Sequence, residues 1–315
     1  VEIAPWKKLH LFGGESIMSL TRKRLLVLVT LFVSMSLLIS ACQSSSANDL
    51  LGEIKSRGTI RISTDVNYAP QSSGVQGATR SANTKCAANE LTASEVEGFD
   101  IDTANEIAKR LGVEPCYVTP SWDLITAGSW GGRWDASVGS MTITQDREKA
   151  LWFSPPYYSY AAQFAARAGS GINSVTDISG RPVCVGTGTT YETYLSGGDL
   201  GFPASQIKMQ APANVQVVPL NTDSECVQAI QAGRTEFDAF LTASTVVDKA
   251  MAEGANIEKV GEPVYIENLA VALDKKAPKD PKSLLDAISK AVTDMHADGT
   301  LSQSSVKWFG VDLTK

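Results

Sequence analysis

A chain of 315 residues, 43% hydrophobic and 20% charged, has the length for one large or two medium domains and the apolar content for a sizeable core. Its net charge of −6 argues against a nucleic-acid partner, which asks for a basic face, but not against a small anionic ligand, which one local arginine can hold. With two histidines and no C-x-x-C among its five cysteines, it carries no metal-ligand pattern, and no cofactor is expected.

Taken in order, Val1 to Ile17 show neither periodicity nor a cap and read as an upstream extension, with Met18 as the start. Arg22, Lys23 and Arg24 then precede an apolar run from Leu25 to Ile39, a secretion-signal pattern. That run is shorter than the roughly 20 residues a membrane-spanning helix needs. It ends in I-S-A-C, Ile39 to Cys42, which resembles a bacterial lipobox. Residues 1–41 are therefore expected to be an extension plus a lipoprotein signal. Cys42 would be the lipidated first mature residue, and 42–49 a serine-rich tether. The expected location is outside the cytoplasm, lipid-anchored to the cell membrane. The four remaining cysteines, Cys86, Cys116, Cys184 and Cys226, are an even number in an exported chain and point to disulfides, with three pairings open.

Leu50 to Ser56 reads as a short helix and Thr59 to Thr64 as a strand, followed by the loop Asp65 to Pro70, D-V-N-Y-A-P. Ser72 to Glu97 is a polar stretch longer than a usual connection, read as an insertion tied down by Cys86 and near the cleft. In Gly98 to Val113, Ala104, Ile107, Ala108 and Leu111 recur at helical spacing, with Asp102 or Thr103 as the expected cap and Gly112 as terminator. Gly139 to Tyr158, G-S-M-T-I-T-Q-D-R-E-K-A-L-W-F-S-P-P-Y-Y, is the stretch with chemistry. Thr144 reads as an N-cap, so Arg147 stands in a first turn where the dipole is already positive, at a cost of about 0.3–1 kcal/mol unless an anion answers it. The hydroxyls of Ser140, Thr142 and Thr144 with that guanidinium describe a carboxylate or phosphate receptor; the competing reading is an exposed arginine on a solvated helix. Tyr158 to Arg167 reads as a strand. V-G-T-G-T-T-Y-E then lacks the third glycine of a dinucleotide loop, but Thr189 and Glu192 make a T-x-x-E cap whose N–H groups near Thr189 and Thr190 face outward. Val215 to Val218 is a strand, Thr222 to Glu225 caps a helix ending at Gly233, and Ser283 to Asp298 is an amphipathic helix with Leu285, Ile288, Val292 and Met295 inward.

M-T-I-T-Q-D-R followed by F-S-P-P-Y-Y, together with G-F-D-I-D-T-A-N-E-I-A-K-R-L-G-V, G-T-G-T-T-Y-E and the closing D-G-T-L-S-Q-S-S-V-K-W-F-G, resembles the bacterial family 3 extracellular solute-binding proteins from about Ser56 to Gly310. The resemblance implies an α/β, two-lobed, type II periplasmic-binding-protein fold. Its first lobe would be 50–161 and 267–315, its second 162–266, with crossover strands at Tyr158–Arg167 and Val264–Leu273 as hinge. It implies a monomeric substrate-binding lipoprotein of an ABC importer, partnered by a membrane permease, and not an enzyme. Thr142 and Arg147 would clamp the ligand's α-carboxylate from one lobe, and Thr189 and Thr190 would meet it from the other. Tyr68 would cover the ligand, Asp65 would line the side-chain end, and Trp122 would form a wall. Partition into two lobes favours Cys86–Cys116 and Cys184–Cys226. The chain departs from the family at Gln71 and Thr103, and most consequentially at Ala243, where amino-acid receptors carry the aspartate that pairs with the α-ammonium. Either another acid, Asp65 or Glu267, replaces it, or the ligand is a carboxylate without an α-amine. A cyclohexadienyl-dehydratase-like enzyme and a sensory receptor are the other readings.

Overall fold

The structure is a computed structural model that describes residues 1–2 and 48–315; the signal run, Cys42 and nearly all of the tether lie outside the described residues. Asp49 opens helix α1 (Leu50–Arg57) by accepting the Gly52 N–H, and left-handed Gly58 closes it. Strand β1 (Thr59–Ser63) follows. The 72–97 insertion and its approach hold only short strands: β2 (Asn67–Tyr68), β3 (Ser72–Gly74), β4 (Leu91–Thr92) and β5 (Val96–Glu97). Helix α2 (Phe99–Leu111) starts at Gly98, a turn before the expected cap at Asp102 or Thr103. Packing explains the difference. Gly98 has φ 132°, and a Cβ there would stand 2.2 Å from the Gln71 carbonyl oxygen, so glycine alone lets the chain turn into the helix against that loop. Asp102 instead accepts from Ser304, Lys307 and Trp308 near the C-terminus.

Strand β6 (Glu114–Val118), helix α3 (Trp122–Thr126), the wholly buried strand β7 (Ala136–Thr142), helix α4 (Gln145–Ala150), strand β8 (Leu151–Phe153) and the crossover β9 (Tyr158–Arg167) come next. Beyond the crossover lie β10 (Pro182–Gly186), α5 (Thr190–Leu195), β11 (Gln216–Leu220), α6 (Asp223–Gln231), β12 (Ala239–Ala243) and α7 (Ser244–Ala252). The return strand β13 (Ile257–Asp274) is longer than expected, with a register irregularity between Val260 and Tyr265. Helix α8 (Lys282–Ala297) buries Leu284, Ile288, Ala291, Val292 and Met295, so Leu284 takes the inward place expected of Leu285. Helix α9 (Thr300–Phe309) closes the chain against α2, where the Phe309 ring lies 5.0 Å from that of Phe99.

One large sheet runs β11-β10-β12-β9-β13-β7-β1-β6-β4. The strands β10, β11 and β12 are parallel to one another, as are β1, β6 and β7; the antiparallel pair β9 and β13 joins the two blocks. This is the expected two-lobed α/β architecture with two crossover strands. Each block carries one disulfide: Cys86–Cys116 pins the insertion to β6, and Cys184–Cys226 ties β10 to α6. Among the described residues no helix is long and apolar enough to cross a membrane.

Candidate functional site

Parallel strands deliver their C-terminal ends to one place, where ligands of open α/β sheets bind. After β1 come Asp65 and Tyr68, at the end of β7 Ser140 and Thr142, after β10 Thr187, Thr189 and Thr190, and after β11 Asn221 to Asp223; all line one cleft with Trp122, Arg147, Tyr160, Tyr191 and Glu267. No residue of 72–97 lines it, but the insertion starts beside it, where β3 pairs with the strand that carries Tyr68 and Ser72 donates to the Asp65 carbonyl.

Arg147 is held by its own helix start: Thr144 caps α4, accepting the Arg147 N–H at 3.1 Å. Its guanidinium is 8% exposed and donates to the Thr142 carbonyl at 3.0 Å and to the Gly188 carbonyl, beyond the crossover, at 3.2 Å. The Trp122 ring lies 5.3 Å from its Cζ, and the Trp122 indole donates to the same Gly188 carbonyl. Burial pushes the Arg147 pKa down and the Glu267 charge opposes that. Yet no carboxylate stands within 4 Å of Arg147 among the described residues, and two carbonyls engage only part of its five donors.

Glu267, in the middle of β13, has no exposed surface, and its Oε1 accepts from Thr142 Oγ1 at 2.6 Å and from Thr190 Oγ1 at 2.5 Å. Desolvation raises its pKa, against the pull of those hydroxyls and of Arg147. Asp223 is 6% exposed, accepts from the Gly186 N–H at 2.8 Å and from Thr242 Oγ1 at 3.1 Å, and is pushed by burial up to about 7. Asp65 is also raised by burial, although it accepts the Asn67 N–H at 2.8 Å. Between these acids run three tyrosine hydroxyls: Tyr68 lies 3.1 Å from Tyr160, which Tyr191 reaches at 3.2 Å.

Asp65, Tyr68, Trp122, Ser140, Thr142, Arg147, Thr189 and Thr190, expected to meet the ligand, all line this cleft, whereas Thr144, whose hydroxyl was expected in the anion receptor, does not and caps α4 instead. Their hydroxyls are not equally available. Ser140 Oγ bonds to Asp100 and Tyr158 while its N–H donates to Tyr157, so both its donors are engaged within the core. Thr189 Oγ1 caps α5, accepting the Glu192 N–H and donating to the Gly186 carbonyl. Glu192 accepts from Gly188 N–H rather than Thr189 N–H, so the reciprocal half of the box is shifted by one residue. Ala243 is fully buried and outside the cleft lining. Tyr160, Tyr191 and Asp223 carry no motif of their own. The signal that finds Asp223 is positional: Thr222 caps α6 after β11 as Thr189 caps α5 after β10.

Residues 84–311 match the bacterial extracellular solute-binding proteins, family 3. The chain belongs to that family. Among its relatives, the L-cystine-binding protein TcyJ of Escherichia coli (strain K12) is 30% identical over 280 residues, which is 87% of this chain and 91% of the relative. The histidine-binding periplasmic protein of Salmonella typhimurium is 27% identical over 264 residues, 81% of this chain and 88% of the relative. The crystal structure of the ancestral amino acid-binding protein AncCDT-1, a precursor of cyclohexadienyl dehydratase, superposes with a TM-score of 0.65 at 27% identity, covering 82% of this chain and 99% of that one. The fold of this family-3 member is thus the two-lobed one, and its relatives are periplasmic amino-acid-binding proteins.

Proposed function

We propose that this protein is the extracytoplasmic substrate-binding lipoprotein of an ABC importer, and that it holds an α-amino acid as a zwitterion between its lobes. The observation that carries this is the charge pattern of the cleft: one buried guanidinium without a carboxylate partner within 4 Å, and three carboxyl side chains, Asp65, Asp223 and Glu267, beside it. A planar guanidinium fits a carboxylate in bidentate fashion. The acids oppose one another electrostatically, and an ammonium relieves that repulsion. A carboxylate without an amine would bring negative charge and no cation into a cleft whose buried acids already resist ionisation, which disfavours the amine-free reading.

In this reading the lobes divide at 161/162 and 266/267. The pairing supports it: β9 meets β12 from Ala162 on, and β13 meets β7 from Leu269 on. Contacts across the cleft, such as Arg147 to Gly188, favour closure, and a permease would recognise the closed form. Cys42 would anchor the monomeric receptor to the membrane. Calorimetric titration of the purified protein with amino acids and their deaminated analogues tests the ligand class. Binding confined to deaminated acids, or no binding in either set with Arg147→Ala equally silent, would overturn it. A second reading is favoured by one observation, a buried carboxyl of raised pKa beside a guanidinium in a chain that resembles AncCDT-1: Glu267 could serve as a general acid. Appearance of an aromatic product from a cyclohexadienyl carboxylate would support it.

A further inference from the structure

Residue 243 is an alanine and offers no charge, and a buried ammonium needs an anion close by. Three carboxyl groups line the cleft, and their hydrogen bonds separate them. Asp223 has a donor on each oxygen, and Asp65 is only partly buried. Glu267 differs: Thr142 and Thr190 both donate to Oε1, while Oε2 is buried with no partner. A buried carboxylate oxygen without a donor is uncommon in native proteins and marks a place where a donor belongs.

Thr142 also fixes where Glu267 lies relative to Arg147. Its carbonyl accepts from the guanidinium at 3.0 Å and its hydroxyl donates to Glu267 at 2.6 Å. The two charges thus flank a single residue, yet they do not form an ion pair within 4 Å among the described residues. An α-amino acid carries its carboxylate and ammonium on one carbon and needs receptors that are close neighbours but not joined to each other. We infer that Glu267 is the seat of the ligand's α-ammonium, accepting it on Oε2 while Oε1 keeps the hydroxyls of Thr142 and Thr190, and that this residue makes the cleft selective for ligands with an α-amine. The inference rests on the amino-acid reading above and adds the residue that receives the ammonium. Because the two threonines reach Glu267 from opposite sides of the crossover, the ammonium seat is complete only when the cleft is closed.

The test is calorimetry on the wild-type protein, Glu267→Gln, Glu267→Asp and Asp223→Asn, each with the best-binding amino acid and with its deaminated analogue. Glutamine keeps the shape and an acceptor for the threonines but turns the free oxygen into a donor. The expected result is a loss of roughly a hundredfold in amino-acid affinity for Glu267→Gln, with the analogue bound as well as before or better. Glu267→Asp should recover part of the preference for the amine, and a loss caused by Asp223→Asn, which also lines the cleft, should fall equally on the amino acid and its analogue. Equal losses for both ligands would mean a purely structural role and would overturn the inference, as would undiminished amino-acid binding by Glu267→Gln, or the selective loss falling on Asp223→Asn. A wild-type protein that binds no amino acid would overturn the amino-acid reading and this inference with it; melting temperatures of the variants separate either outcome from misfolding.

Discussion

Replacing Arg147 by alanine should separate binding from stability. Arg147 is 8% exposed, and its guanidinium gives two hydrogen bonds to carbonyls and has the Trp122 ring 5.3 Å away. Its burial is already unfavourable, as the downward pressure on its pKa indicates. Removal gives up those contacts but relieves an uncompensated buried charge, so ligand-free stability should change by no more than about 1 kcal/mol, or roughly 2–4 °C in melting temperature. Binding is different. A ligand carboxylate deprived of its buried partner loses about 3–5 kcal/mol, which is roughly 150- to 5,000-fold in affinity. Arg147→Lys, which keeps the charge and loses the planar fork, should fall between. Titration calorimetry and scanning calorimetry on the same samples measure both quantities. If Arg147→Ala binds within about fivefold of wild type, the carboxylate is held elsewhere. A fall in melting temperature above roughly 10 °C would mean instead that Arg147 is chiefly a structural tie between the lobes.

Three further outcomes are expected. Asp100 and Asp223 are both pushed by burial up to about 7, well above their ordinary range near 3.8, so the folded chain retains two protons that the unfolded chain has released. Their contribution to stability should therefore be largest below about pH 4 and be lost as pH rises toward about 7, by about 4 kcal/mol for each group; urea melts across that window should show the slope, and Asp100→Asn with Asp223→Asn should flatten it. Breaking either disulfide by serine substitution should destabilise by about 3–4 kcal/mol. Ligand affinity should survive loss of Cys86–Cys116 but weaken without Cys184–Cys226, because that bridge holds β10 against the helix from which Asp223 meets Gly186. Trp122 shares the Gly188 carbonyl with Arg147, so ligand binding should alter its fluorescence, and Trp122→Phe should remove most of the signal.

What could be read from the chain follows the range of the forces involved. The caps Thr144, Thr189 and Thr222 are bonds over three residues, and all three stand where the sequence puts them. The start of α2 was not legible, because the need for Gly98 comes from a backbone 27 residues earlier, at Gln71. Helix α7 escaped notice since its cap position, Ala243, has no side-chain oxygen to announce it. Glu267 was legible only as one of two candidate acids. It sits in a strand with buried residues on both faces, where alternation carries no signal, and only the meeting of Thr142 with Thr190 on its carboxyl sets it apart from Asp65. Arg147 and Thr142 were legible through the family motif, whereas Tyr160, Tyr191 and Asp223 reach the cleft by topology alone.

The order of the large sheet also bears on how copies of this chain meet at high concentration. A sheet that does not close exposes two outer strands, each able to recruit a strand from another copy. Here one border is β4, only two residues long and beside the bridged Cys116, and the other is β11, interrupted by Pro219, which offers no N–H. Neither border can template a continuous ladder. Copies of the chain can therefore be crowded together without strand exchange between their sheets.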